Sequence, residues 1–184
     1  VREAFVHVSA GHNHSAAISA GGTLYMWGDP RDGKLGHGIA KDSAASNDND
    51  AVGINDDEFF TTLWPQPVLF FKSNERRIKF VSCGADHTLC LDDNGGIYSW
   101  GLGNYGNLGH GDTKNQIKPR LIESLKDSTI AFTAAGSKHS LGMSHSGIVY
   151  TWGHGDKGRL GNGDRRGSLI PEENAFFNSS AIRA

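Results

Sequence analysis

The sequence predicts an all-β protein assembled from tandem copies of one four-stranded unit. Three observations lead there. Glycine supplies 25 of the 184 residues, about twice its usual share, which calls for many tight turns and close backbone approaches. Residues 10–38, 83–111 and 135–163 repeat one pattern without gaps. Within each copy, short alternating apolar segments lie between turn signals, the signature of strands rather than helices.

The register of the copies is read directly from the residues. Gly11, Gly84 and Gly136 open them, and His14, His87 and His139 follow three residues later. Then come Gly22, Gly95 and Gly147, followed by Trp27-Gly28, Trp100-Gly101 and Trp152-Gly153. Gly33, Gly106 and Gly158 precede Leu35-Gly36, Leu108-Gly109 and Leu160-Gly161, and Gly38, Gly111 and Gly163 end the pattern. Pro67, Pro119 and Pro171 close the units.

The second copy shows the elements in order. Residues 78–84 form a first strand and 87–93 a second. Asn94-Gly95-Gly96 is a hairpin turn, with glycines for positive φ. Residues 97–101, rich in β-formers, form the third. After a glycine loop, residues 119–125 form a fourth, outermost strand, whose opening Pro119 suits a sheet edge. Four short antiparallel strands per unit, repeated in tandem, predict the blades of a β-propeller. The interval from Gly84 to Gly136 is 52 residues, longer than the ~40–45 of a WD repeat, and no Trp-Asp pair follows the third strand.

The pattern Gly-x-x-His-(Ser/Thr), Gly, Tyr-x-Trp-Gly, Gly-x-Leu-Gly-x-Gly resembles the regulator of chromosome condensation repeat, and all three copies carry it. The resemblance implies a propeller that is seven-bladed in complete members. Three copies make an incomplete one, treated as a single partial domain over residues 1–184. Residues 175–184 read as the lead-in to a fourth copy. The expectation is a piece of a longer propeller, or chains that associate to cover open ends; a chain that begins with Val1 rather than Met fits an excised piece.

Several function classes are excluded. Gly101-x-Gly103-x-x-Gly106 imitates a dinucleotide fingerprint, but a polar, turn-rich segment follows it instead of a helix, and the first copy lacks the middle glycine. A net charge of −2 offers no bulk attraction for nucleic acid. Cys83 and Cys90, the only cysteines, have no metal-site spacing and read as buried small hydrophobes in a reducing, intracellular setting, cytoplasmic or nuclear. No apolar run approaches a membrane span. No nucleophile–base set, metal site or cofactor motif is visible, so no enzyme chemistry, metal or cofactor is expected.

The recurring residues read as scaffold. His14, His87 and His139 cannot converge on one ion from separate blades; each is expected to bond backbone groups of its own blade and hold a turn. Trp27, Trp100 and Trp152 are expected to pack between blades. The residues that differ between copies are the candidates for binding a partner. His12, Asn13, Asp86, Ser137 and Lys138 lie in the turn before each histidine, and the resemblance implies that residues of this turn contribute to contacts on one propeller face. A second loop patch is expected from Asp29, Arg31, Asp32, Asn104, Tyr105, His154, Asp156 and Lys157.

The one irregularity lies in the first unit. Gly11 to Gly84 spans 73 residues, and the excess falls in an acidic insertion at about residues 39–62, with six acids and one lysine. It reads as a tolerated loop or an acidic docking segment, with Phe59, Phe60 and Trp64 as anchors.

Two function classes follow. The first is a non-catalytic protein-interaction module within a larger protein. The second, implied by the resemblance, is guanine-nucleotide exchange on a Ran-type small GTPase, which needs only a surface that prefers one state of the GTPase; Asp86 and the His12-Asn13 pair would be its candidates. Chromatin binding would need a basic face or arm, which the near-neutral copies do not supply.

Overall fold

The computed structural model describes residues 3–38 and 63–178. They form three four-stranded antiparallel sheets. Blade 1 holds β1 (Phe5–Ala10), β2 (His14–Ser19), β3 (Leu24–Gly28) and β4 (Gln66–Pro67). Blade 2 holds β5 (Ile78–Cys83), β6 (His87–Asp92), β7 (Ile97–Gly101) and β8 (Gln116–Leu121), and blade 3 holds β9 (Ile130–Ala135), β10 (His139–Ser144), β11 (Val149–Gly153) and β12 (Ser168–Glu173). Strand order follows the chain in every sheet. Two short helices, α1 (Leu69–Ser73) and α2 (Ala175–Asn178), and three single 3-10 turns complete the described elements.

The local causes are plain. In blade 2 the Gly95 amide donates to the Asp92 carbonyl, and Gly95 sits at φ 83°. The buried Asp92 carboxylate accepts from the Asn94 and Gly96 amides, fixing the β6–β7 turn. A register shift recurs near the start of the first strand, between Phe5 and His7 in blade 1 and between Ile78 and Phe80 in blade 2. Such a bulge adds local twist.

The fourth strand differs from expectation. It spans Gln116–Leu121, and Glu123–Leu125 is a 3-10 turn. Pro119 therefore lies inside the strand. It falls in the irregular stretch between the Gly101–Gln116 and Ser99–Arg120 pairs, on the outer edge, where a missing amide breaks no ladder bond. The residue corresponding to Pro119 and Pro171 in blade 1 is Pro65 rather than Pro67. The amides of Val68, Ile122 and Asn174, each three residues after its proline, make the same bond to the carbonyls of Leu24, Ile97 and Val149. The insertion at residues 39–62, with Phe59 and Phe60, lies outside the described residues; Trp64 is exposed.

The core sits between blades rather than within one. A first cluster joins Ile18, Leu24, Met26 and Phe71 of blade 1 to Val81, Tyr98 and Trp100 of blade 2. A second joins Leu89, Leu91, Ile97 and Leu125 of blade 2 to Ile130, Tyr150 and Trp152 of blade 3. Each sheet is thus buried on both faces only where it has two neighbours, the logic of repeat architectures. β6 and β7 are buried at every residue.

Candidate functional site

The seams between blades repeat one polar device. The Lys34 carbonyl of blade 1 accepts the Thr88 hydroxyl and the Trp100 indole N–H of blade 2, both at 2.9 Å. In the next seam the Asn107 carbonyl accepts Ser140 Oγ at 2.8 Å and Trp152 Nε1 at 2.9 Å. The same hydroxyls lie 2.9 Å from His14 Nε2 and His87 Nε2 respectively. Each hydroxyl gives its proton to the carbonyl, so it accepts from the histidine, which places a proton on Nε2; burial, with Nδ1 left without a partner, keeps the rings neutral. This corrects the expectation for His14 and His87: they reach across to the following blade rather than to backbone groups of their own. Burial pushes His14 down to about 4 and His87 down to about 3.

The first glycine of each copy answers to the same ring. A Cβ on Gly84 would lie 2.6 Å from His87 Cε1 and 2.5 Å from the Gly136 carbonyl oxygen. The turn must therefore be glycine for the ring to lie over it and for the next turn to approach.

Above this device lie the residues that differ between copies. The turn between a blade's first two strands and the loop after its third are at the same end of the sheet. The Asp29, Leu102 and His154 amides donate to the carbonyls of Asn13, Asp86 and Lys138, joining turn to loop within each blade. Across the first seam, Lys34 Nζ lies 2.8 Å from Asp86 Oδ1 and 3.2 Å from Asp29 Oδ2. Lys34 is 2 % exposed, so its ammonium depends on those carboxylates. Burial alone would raise Asp29, but hydrogen bonds from Arg31 and the Lys34 charge hold it at about 2. Across the second seam, Lys138 Nζ donates to Tyr105 Oη at 2.8 Å, and the His154 ring packs at a tilt of 50° against Tyr105 with centroids 4.8 Å apart.

The turn residues and loop residues expected to make two patches therefore make one surface. Asp86 joins Asp29 in the first seam; Lys138 joins Tyr105 and His154 in the second. His12, Asn13, Ser137, Arg31, Asn104, Asp156 and Lys157 are exposed on or beside it, and Asp32 is half-buried. Asp32 and Lys157 hold φ of 58° and 65° before their glycines. Lys34 escaped sequence reasoning. The available signal was a polar residue just before Leu-Gly in every copy, at Lys34, Asn107 and Arg159. Trp27 occupies the position of Trp100 and Trp152 but stays half-buried, because no described preceding blade covers it.

Comparison with known proteins now decides the family. The model for the regulator of chromosome condensation (RCC1) repeat matches residues 21–91, 94–143 and 146–184. The chain belongs to the RCC1 repeat family. Among relatives, it is 34% identical over 177 residues to the ultraviolet-B receptor UVR8 of Arabidopsis thaliana, covering 96% of this chain and 36% of that protein. It is 32% identical over 179 residues to the E3 ubiquitin-protein ligase HERC2 of Homo sapiens, covering 96% of this chain and 3% of that protein. Among solved structures, yeast RCC1 (Prp20) bound to Kap60 superposes with a TM-score of 0.73 at 21% identity, covering 97% of this chain and 38% of that one. A second structure of Prp20p, from Saccharomyces cerevisiae, is described together with its binding to Gsp1p and histones. The chain thus spans little more than a third of UVR8 and a far smaller share of HERC2. Its RCC1 blades form an incomplete propeller.

Proposed function

We propose that the chain is a protein-interaction module and that partners dock on the surface formed by the turn residues of one blade and the loop residues of the blade before it. One observation carries the reading. Beneath that surface the two seams are built from the same groups: histidine, hydroxyl, carbonyl and indole. At the surface they differ completely, an ion cluster of Asp29, Lys34 and Asp86 in one and an aromatic–cation group of Tyr105, Lys138 and His154 in the other. An invariant support under a variable face is how a repeat scaffold acquires specificity.

The test is affinity capture with the chain as bait, each retained protein then titrated against purified variants. Lys138→Glu and Asn104→Ala are expected to weaken a genuine partner by tenfold or more, since interface energy concentrates in few residues. Asp86→Ala is a poor probe, because it also strips the buried Lys34 of a counter-charge. If every retained protein binds the face variants as tightly as the wild type, the reading fails.

Membership of the RCC1 family favours guanine-nucleotide exchange on a Ran-type GTPase as the second reading. His12 and Asn13 are exposed and available for it, whereas Asp86 is committed to Lys34. Release of labelled GDP from such a GTPase, accelerated by the chain, would support it; release unchanged at saturating chain would remove it.

A further inference from the structure

Away from the variable face, the outer strand of blade 3 carries a pattern that the seams do not use. Arg165-Arg166-Gly167-Ser168-Leu169 sets arginines two and three residues before a hydroxyl, with an apolar residue directly after it. No other serine or threonine of the chain follows an arginine pair at that spacing. Blade 2 has Thr113, Lys114, Asn115 and Gln116 at the corresponding places, with no hydroxyl at Gln116. The scaffold therefore does not require the pattern.

Its placement suits an enzyme that reads an extended segment. Arg165, Arg166 and Gly167 are exposed in a stretch without regular structure, and Ser168 opens β12 in extended backbone. This exposure belongs to the rim of a blade, not to the end of the chain: in blade 2, flanked on both sides, Thr113 and Lys114 are exposed too. Arg166 pairs with Asp164 at 2.7 Å, an exposed contact that another carboxylate replaces at little cost. The hydroxyl is buried but weakly held. Ser168 Oγ lies 2.7 Å from the Ile170 carbonyl oxygen and 2.8 Å from Glu172 Oε1, and accepts the Ile170 amide at 3.4 Å. All three partners are in its own strand. β12 is the edge of its sheet, and its register breaks between the Gly153–Ser168 and Thr151–Glu172 pairs. An edge strand paired so sparsely opens locally while the rest of the sheet stays folded.

We propose that Ser168 is a phosphorylation site for an arginine-directed protein kinase, and that the phosphoryl group frees β12 from β11. Acidic groups of the kinase's substrate cleft meet Arg165 and Arg166, the charge pattern by which such enzymes choose a serine. The Ser168 oxygen attacks the γ-phosphorus of ATP and the bond to the ADP oxygen breaks. The hydroxyl proton passes to the kinase's catalytic carboxylate. The product sets a group of about −2 charge at a buried position beside the Glu172 carboxylate, where repulsion and lost solvation oppose re-docking of the strand.

The test incubates the purified chain with the catalytic domain of an arginine-directed kinase and MgATP labelled at the γ-phosphate. One phosphoryl group per chain is expected, with the added mass confined to the fragment that contains Ser168. Ser168→Ala should abolish the label. The double variant Arg165→Ala, Arg166→Ala should lower kcat/KM by about tenfold or more; both positions are exposed, so circular dichroism should show the wild-type fold. In the phosphorylated chain, hydrogen exchange over residues 168–173 should quicken by about tenfold or more, while exchange in β6 stays unchanged. A chain left unlabelled, label that persists in Ser168→Ala, or a double variant labelled as fast as the wild type would each overturn the site. Exchange in β12 that does not change on phosphorylation would overturn the release of the strand.

Discussion

At the scale of the residue, the clearest element is the hydroxyl that joins a histidine to a carbonyl across a seam. Ser140→Ala is expected to cost about 1–3 kcal/mol, since it leaves a buried imidazole N–H and a carbonyl short of a partner. Ser15→Ala removes the same atom where no partner exists, and is expected to stay within about 0.5 kcal/mol at concentrations where the chain is monomeric. Urea unfolding of the two variants makes the comparison. The histidines add a pH dependence. Their native values, about 4 for His14 and about 3 for His87, lie below the ordinary 6.5. The unfolded chain therefore binds protons first. Stability is full above pH 6.5 and falls as pH drops toward 4 and then 3, by up to about 1.4 kcal/mol per pH unit for each ring. Unfolding midpoints that do not change between pH 7 and 4.5 would contradict this. That these residues belong to the repeated pattern was legible from their recurrence. Which blade they bond was not, because the register between blades is a three-dimensional fact that spacing within a copy does not contain.

At the scale of the element, the strands and hairpins were readable because turn glycines and alternating apolar residues mark them locally. The fourth strand was misplaced for a local reason too. Its proline looks like a start, but an edge strand tolerates proline in a bulge, and the apolar Ile122 and Leu125 belong to a turn that packs under the seam. The glycine loops carry a separable prediction. Gly106→Ala and Gly158→Ala impose the same positive-φ strain, but only the first forces a contact with the next outer strand. Gly106→Ala is expected to be the more destabilising by about 1 kcal/mol or more, measured by thermal unfolding of dilute protein. Equal losses would mean that φ alone selects these glycines.

At the scale of the molecule, the blades owe their burial to one another. Trp100→Ala and Trp152→Ala are expected to cost about 3–5 kcal/mol each, and Trp27→Ala clearly less, because its ring has one neighbour fewer. The variable surface was legible in part. Copy-to-copy differences singled out the turn and the loop, but only the fold shows them meeting across a seam, with a buried Lys34 beneath one pair and Tyr105 packed between Lys138 and His154 in the other. Among the described residues no helix is long and apolar enough to cross a membrane. Binding and stability measured on the same variants test the separation between invariant seam and variable face most directly. A partner retained by affinity capture should lose tenfold or more in affinity to Lys138→Glu while the unfolding midpoint stays within about 2 °C of the wild type. Affinity that survives the face variants and falls only when the seam is weakened, as in Ser140→Ala, would contradict it.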